Sequence, residues 1–373
     1  FKIGKEKMIR QGMNMGQVKI QNRSAILNCI NSAGSISRKD IAEQTGLTAA
    51  AVTLICNELI AENLLKEGDT VKKEAGTGAG RRKVLVSIDY KSHYFVSVAI
   101  ETDKTIVAIT DMQGILEKKE VLLSAQNDKD PEKFLTEIAS SIKKLIKDCP
   151  PEIQEKIQYG AITIPGIVDS EKGISIFAYG IWDCEVGVCK SLEEKTGIKF
   201  AIENNVISFA KAEQIFGTGK YKENVLVIKW GPGVGAANFV ENQIFTGFKG
   251  RSAEIGHFIV EPNGKKCICG QNGCLETLVS SKALKDKNEK ETENAINMFG
   301  ITVANLLKVV TPDRIILYGD LAKNENYLKC LKEAIYKYNK YYDNHRVRYS
   351  RLENSEDYIG AVSVALCNFI FLS

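Results

Sequence analysis

The folds open to this chain are limited most by a rhythm that runs once through residues 91 to 216 and then begins again. Apolar runs at Tyr94 to Ile100, Thr105 to Thr110 and Ile115 to Leu123 predict three consecutive strands. A helix (Pro131 to Asp148), a strand (Gln158 to Ile164) and a helix–strand–helix run over Ser191 to Phe216 follow. The order restarts with strands at Asn224 to Lys229 and Gly235 to Val240, a long helix from Thr292 to Val310 and a strand at Arg314 to Tyr318, then helix, strand and helix to the end. Two halves of the form βββαβα predict two α/β lobes with a cleft between them.

At 373 residues, 44% hydrophobic and 26% charged, the chain can hold both lobes and a further domain, which excludes a small disulfide scaffold or a disordered tail. No run approaches the roughly 20 apolar residues that cross a bilayer. Phe1 to Arg10 holds four basic residues and no apolar signal core, so a soluble, cytoplasmic protein without a membrane partner is expected.

Net charge is +4, but its distribution is uneven. Residues 1 to 90 hold 14 basic and 9 acidic side chains, and the remainder 36 and 37, so the basic surplus lies in the first quarter and points to a polyanion partner there. In that quarter, Ala25, Ile26, Cys29 and Ile30 recur at helical spacing within Gln21 to Ile30. Ser37 caps a second helix, Gly46-Leu47 turns the chain, and Thr48 caps a third helix to about Ala61. This is a helix-turn-helix unit.

In the third helix Val52, Ile55, Cys56 and Leu59 share one face, which leaves Ala49, Ala50, Thr53 and Asn57 on the other. A small, uncharged exposed face suits close approach to base edges in a major groove. The same pattern also fits a surface helix of any three-helix bundle. Leu64 to Gly68 and Lys83 to Asp89 read as strands that flank a loop with Lys72, Lys73, Gly76, Gly78, Gly80, Arg81 and Arg82, and the whole reads as a winged helix. Candidate contacts to double-stranded operator DNA are Arg38, Lys39, Thr48, Ala50, Thr53, Asn57, Arg81 and Arg82.

Seven of the ten cysteines lie scattered in apolar or helical contexts, as reduced thiols do. The other three form the pattern His257-x9-Cys267-x-Cys269-x4-Cys274. Three thiolates and one imidazole make a closed tetrahedral set for Zn²⁺ that leaves no position for a catalytic water, so a structural zinc is expected. Gly231-Pro-Gly-Val-Gly-Ala236, after a strand, fits either a phosphate cradle or a tight hairpin. Glu203-Asn204-Asn205 opens a helix after a strand, and Glu254 and Glu276 bracket the cysteine cluster. Such groups bind sugar hydroxyls when they converge, and cap helices when they do not.

Ala253-Glu-Ile-Gly-His257 followed by Cys267-Ile-Cys-Gly-Gln-Asn-Gly-Cys-Leu-Glu276 resembles the signature of the ROK family (repressors, open reading frames, kinases). The winged helix before it resembles the family's repressor branch, that of the xylose and N-acetylglucosamine repressors. The resemblance covers nearly the whole chain. It implies an α/β protein with an N-terminal winged helix-turn-helix over residues 1 to 90 and an actin-like, two-lobed sugar-kinase fold over 91 to 373, with zinc and a sugar held between the lobes. It further implies that Asn204, Asn205, Glu254, His257 and Glu276 form the sugar site and that His257 serves metal and sugar together.

Several positions depart from the pattern of the family's kinases. They carry Glu-Asn-Asp where this chain has Glu203-Asn204-Asn205, and that Asp is the general base; an Asn cannot take up a proton near neutral pH. They carry Asp-x-Gly-Gly-Thr for ATP phosphates where this chain has Glu101-Thr-Asp-Lys-Thr105, and a Gly-Gly pair where it has Leu317-Tyr-Gly-Asp320. Thr53-Leu54 stands where a Ser-Arg is common in the recognition helix, and Phe177-Ala-Tyr-Gly-Ile181 lacks an Asn often found before the Trp. The expectation is a sugar-responsive repressor without enzymatic activity, a homodimer or homotetramer whose effector is a monosaccharide or a sugar phosphate. A sugar kinase with a DNA-binding extension, and a DNA-binding protein whose cleft only holds the dimer together, are the alternatives.

Overall fold

Side-chain caps fix the turns of the N-terminal helices where the sequence places them. A computed structural model of the chain describes residues 15–71, 83–123, 130–217, 224–240, 243–247, 253–343 and 345–371. Helix α1 (Met15–Ala33) begins earlier than its apolar face, which is confined to Ile26, Leu27 and Ile30. After the short strand β1 (Ile36–Ser37), the Ser37 hydroxyl accepts from the Asp40 N–H at 3.2 Å and starts α2 (Arg38–Thr45). Gly46, at φ 72°, ends it in the left-handed conformation that glycine adopts without strain. Thr48 accepts from the Ala51 N–H at 3.2 Å and starts α3 (Ala49–Ala61).

Val52, Ile55, Cys56 and Leu59 of α3 are buried, as their spacing predicts. Strands β2 (Leu65–Val71) and β3 (Lys83–Ile88) join β1 in an antiparallel sheet of order β1-β3-β2. The wing residues between β2 and β3, Arg81 and Arg82 included, lie outside the described residues. This first compact unit comprises the residues up to Asp89 together with Cys367 onward from the other end of the chain, where Ile370 and Phe371 are buried.

The second unit, Tyr90 to Leu366, holds two sheets of the same topology. In its first half, β4 (Tyr94–Ile100), β5 (Lys104–Asp111) and β6 (Leu116–Leu123) form an antiparallel meander, and α4 (Pro131–Lys147) covers one face. Helix α5 (Pro151–Gln154) leads into β7 (Ile157–Ile164); a hairpin of β8 (Ile167–Asp169) and β9 (Ile174–Phe177) follows, then α6 (Val188–Thr196), β10 (Lys199–Asn204) and α7 (Asn205–Ile215).

In the second half, β11 (Val225–Trp230), β12 (Val234–Val240) and β13 (Gln243–Phe245) form the meander. Two short helices, α8 (Glu276–Val279) and α9 (Ser281–Leu284), precede α10 (Glu289–Val310), which a capping box of Asn288 and Glu291 starts. Strand β14 (Arg314–Tyr318), α11 (Glu325–Tyr338), β15 (Val347–Tyr349) and α12 (Ile359–Ala365) complete it. The sheets run β10-β7-β4-β5-β6 and β15-β14-β11-β12-β13, with the first three strands of each parallel and the meander antiparallel.

Each lobe builds its own core. Val96, Val98 and Ile100 of β4 pack with Phe134, Ile138 and Ile142 of α4, and Leu226 and Ile228 of β11 pack with Phe299 and Val303 of α10. Helix α7 touches strands of both sheets and packs on α12, where Gly360 allows the approach: a Cβ there would lie 2.7 Å from the Ser208 hydroxyl oxygen. Parallel strands β4, β7 and β10 of one lobe and β11 and β14 of the other all end toward one region. Crevices at the carboxyl ends of parallel strands are where open α/β sheets bind ligands.

Candidate functional site

The residues just past those strand ends are Glu101 after β4, Pro165 and Gly166 after β7, Asn205 after β10, Gly231 after β11 and Gly319 after β14. Lys229, one residue before the end of β11, is an ammonium in an otherwise apolar strand and is 7% exposed. Burying it requires a partner, which is Glu101: Nζ lies 2.6 Å from Oε2. The other carboxylate oxygen of Glu101 accepts from Asn205 Nδ2 at 2.9 Å. Glu101 thereby ties β4 of one lobe to β11 of the other and to the first residue of α7.

This trio divides the cleft in two. One cavity, of about 300 Å³, is lined by Asp103, Lys104, Asp320, Lys323, Glu356 and Asp357 besides the trio. Each of its lysines is paired, Lys104 with Asp357 at 3.0 Å, Lys323 with Glu356 at 3.3 Å and Lys229 with Glu101. Burial pushes the Glu356 carboxyl above the ordinary glutamate range, against the pull of Tyr349 and Lys323. The segment 101–105 and the turn at Gly319-Asp320, both singled out in the sequence, line this cavity. The glycines of Gly231-Pro-Gly-Val-Gly235 close the β11–β12 hairpin, with Trp230 opposite Val234.

The other cavity holds every residue expected to bind sugar: Asn204, Asn205, Glu254, His257 and Glu276. Asn204 is also the N-cap of α7. Its Oδ1 accepts from the N–H groups of Val206 and Ile207 at 2.8 and 3.1 Å, and its Nδ2 donates to the Gly166 carbonyl at 2.9 Å. Glu276 Oε2 accepts from the Val234 N–H at 3.1 Å. Burial raises the Glu276 carboxyl above its usual range, a shift that this hydrogen bond and the charges of His257 and Lys229 oppose.

Sequence reading missed Tyr179, which stands in the segment noted for lacking an Asn. Its hydroxyl donates to Glu254 Oε1 at 3.4 Å, and its ring centroid lies 4.7 Å from that of His257. It also missed the pairing of Glu101 with Lys229. The signal for the pair was present, as a lysine inside Val-Leu-Val-Ile-Lys-Trp has to meet a buried acid, but its partner lies 128 positions away.

Next to this cavity, His257, Cys267, Cys269 and Cys274 bring one ligand atom each within 4.8 Å of one another. His257 Nδ1 lies 3.6 Å from Cys267 Sγ, and Cys269 Sγ 3.6 Å from Cys274 Sγ. Ligands on a tetrahedron with Zn–S of about 2.3 Å stand roughly 3.8 Å apart, so the donor set and its spacing fit a four-coordinate metal. Without a cation these thiols resist ionisation: burial raises Cys267, and it pushes Cys274 up to about 12. With Nδ1 turned to the sulfurs, Nε2 is the ring nitrogen of His257 left for a ligand in the cleft.

On the first unit, Ala49, Ala50, Thr53 and Asn57 are exposed along α3, and Leu54 between them is 62% exposed. Thr48 and Lys39 are exposed nearby. The Thr48 oxygen serves the helix cap, and the Thr53 hydroxyl donates to the Ala49 carbonyl at 2.8 Å, which leaves its lone pairs as acceptors. Arg38 is half-buried. It donates to Asn57 Oδ1 at 3.1 Å and pairs with Glu67 at 2.8 Å, so it orients Asn57 from within the unit.

Comparison with known proteins agrees with this arrangement. The ROK family profile matches residues 95–367, and a winged helix-turn-helix DNA-binding profile matches residues 21–66. The xylose repressor of Bacillus subtilis is 27% identical over 82% of this chain and 84% of its own length. The N-acetylglucosamine repressor of Escherichia coli O157:H7 is 30% identical over 74% of this chain and 66% of its own. Among solved structures, a ROK family transcriptional regulator homologous to the E. coli MLC protein superposes with a TM-score of 0.75 at 20% identity, over 95% of this chain and 98% of that one. A ROK family glucokinase from Streptomyces griseus, in complex with glucose and AMPPNP, reaches 0.62 at 19% identity over 73% and 99%. These likenesses show the fold. No described helix is long and apolar enough to cross a membrane.

Proposed function

This chain belongs to the ROK family, and we propose that it is a sugar-responsive DNA-binding transcriptional regulator, a repressor of carbohydrate-utilisation genes whose kinase-like domain senses a sugar without phosphorylating it. The observation that carries this reading is the trio at the cleft. Asn205 stands where the family's kinases place their general base, and it donates to Glu101 at 2.9 Å instead of receiving a proton from a hydroxyl. Glu101 and Lys229, in turn, hold each other where a nucleotide's phosphates would need cationic partners.

The neighbouring cavity supports the same conclusion. Glu101, Asp103, Asp320, Glu356 and Asp357 face three lysines, each already paired, so its lining is net negative and opposes a triphosphate. The sugar side keeps its groups: Asn204, Asn205, Glu254, His257, Glu276 and, in addition, Tyr179. A zinc ion held by His257, Cys267, Cys269 and Cys274 would fasten the loop that carries these residues and supplies no chemistry to a substrate.

DNA contact falls to α3, with Ala50, Thr53 and Asn57 toward bases and Lys39, Arg81 and Arg82 toward the backbone. A dimer would place two such helices about 34 Å apart on a palindromic operator. A calorimetric screen of monosaccharides against the full chain, run beside an assay of ATP consumption with the same sugars, tests the reading. Binding of a sugar without turnover is expected. Sugar-dependent ATP consumption at ordinary enzyme rates would instead establish a kinase.

A further inference from the structure

We propose that the effector is an uncharged monosaccharide and that the cleft discriminates against phosphorylated sugars and sugar acids; this rests on the sugar-sensor reading and narrows it. An anion in the sugar cavity would meet acids from three directions. Among the described residues that line it, Glu101 arrives from the end of β4, Glu254 from the loop before His257 and Glu276 from α8. The only ammonium is Lys229, and it sits 2.6 Å from Glu101 with 9% of its side chain exposed.

The two backbone devices that bind anions are closed as well. A helix N-terminus offers unpaired N–H groups, but at α7 the N–H groups of Val206 and Ile207 both point to Asn204 Oδ1. A glycine-rich turn can do the same. In Gly231-Pro-Gly-Val-Gly235, however, the Gly231 N–H bonds to the Gly233 carbonyl at 3.2 Å, Pro232 has no N–H, and the Val234 N–H bonds to Glu276. An anion in this cavity would therefore find its cation neutralised and these backbone donors taken.

A neutral sugar meets the opposite situation. Its hydroxyls are donors as well as acceptors, and Glu254 and Glu276 are acceptors for them, while Asn205 and His257 add polar groups of both kinds. Glu101 is the residue that sets the selectivity, because it cancels Lys229. Replacing it by Gln keeps the shape and a hydrogen-bonding oxygen for Asn205 and releases the ammonium.

The test is calorimetry on the full chain with matched pairs: glucose and glucose 6-phosphate, N-acetylglucosamine and its 6-phosphate, xylose and xylose 5-phosphate, with glucuronate as the acid. The expected result is that a neutral member binds and its anionic counterpart binds at least tenfold more weakly, with the gap narrowing in Glu101→Gln. A phosphate or uronate that binds as tightly as its neutral partner would overturn the selectivity and leave the sensor reading intact. If none of the sugars binds, the sensor reading falls and the selectivity falls with it. Because the wild-type panel decides by itself, a Glu101→Gln chain that fails to fold leaves the proposal open to refutation.

Discussion

Replacing Asn205 by Asp would restore the carboxylate that the family's kinases use as a base, and in this chain it would place that group against a like charge. Asn205 Nδ2 now donates to Glu101 Oε1 at 2.9 Å; an Asp oxygen in its place has no proton to give. Two carboxylates about 4 Å apart repel by about 4 kcal/mol at an effective dielectric near 20. Lys229, 2.6 Å from the far oxygen of Glu101, draws back part of this and leaves about 2–3 kcal/mol. The new carboxyl can relieve the repulsion by keeping its proton, so its pKa in the folded state is raised above the roughly 3.9 of an unfolded Asp. The folded chain then binds more protons than the unfolded one. The penalty is accordingly small below about pH 4 and grows as pH rises through the raised value. At roughly 2–4 °C per kcal/mol for a unit of this size, Asn205→Asp should lower the Tm by about 4–10 °C at pH 8 and by much less at pH 4.5. Thermal unfolding followed by circular dichroism at both pH values checks this, and an equal deficit at the two, or none at either, would refute the pairing of Asn205 with Glu101. The same variant should gain no ATP turnover, since the phosphate side stays closed.

Three further outcomes follow from the structure. Wild-type chain washed with a weak chelator should retain about one zinc, and Cys274→Ser should lose it along with sugar affinity; elemental analysis that finds substoichiometric metal in the wild type would rule out the assigned site. Thr48→Ala removes the cap of α3 and should cost the first unit about 1 kcal/mol, seen as an earlier unfolding transition, whereas an unshifted transition would mean that the cap contributes nothing. Replacing Arg81 and Arg82 by Ala should weaken operator binding and flatten its dependence on log salt by about 0.9 for each DNA phosphate that is no longer neutralised; an unchanged slope would remove the wing from the interface.

Local signals were read well from the sequence. Ser37, Gly46 and Thr48 are a cap, a left-handed stop and a second cap, each fixed by its own few neighbours, so α2 and α3 begin and end where those residues stand. Strand β4 and strand β14 match their apolar runs to the residue, because strands buried on both faces need an unbroken run. The hairpin of β8 and β9 went unread, since Ile167 to Phe177 mixes charged and apolar residues without a clear period. The site was legible in its residue types and less so in their roles. Asn204 reads equally as sugar ligand and as helix cap, and the structure uses it as a cap at the wall of the cavity. Tyr179 and the Glu101–Lys229 pair depend on interactions across 75 and 128 positions, which no local pattern encodes.

Sensing and DNA binding share one chain only if a ligand of the cleft alters DNA binding. An effector can do so only if it favours one conformation of the two lobes over another, and the coupling is reciprocal. The direct measurement is a fluorescence-anisotropy titration of an operator fragment, selected from random DNA by the full chain, in the absence and in the saturating presence of the neutral sugar identified by calorimetry. Operator affinity is predicted to fall by roughly 5- to 150-fold with sugar, and sugar affinity to fall by the same factor with operator. Identical operator affinities with and without a sugar that is shown to bind would contradict the account.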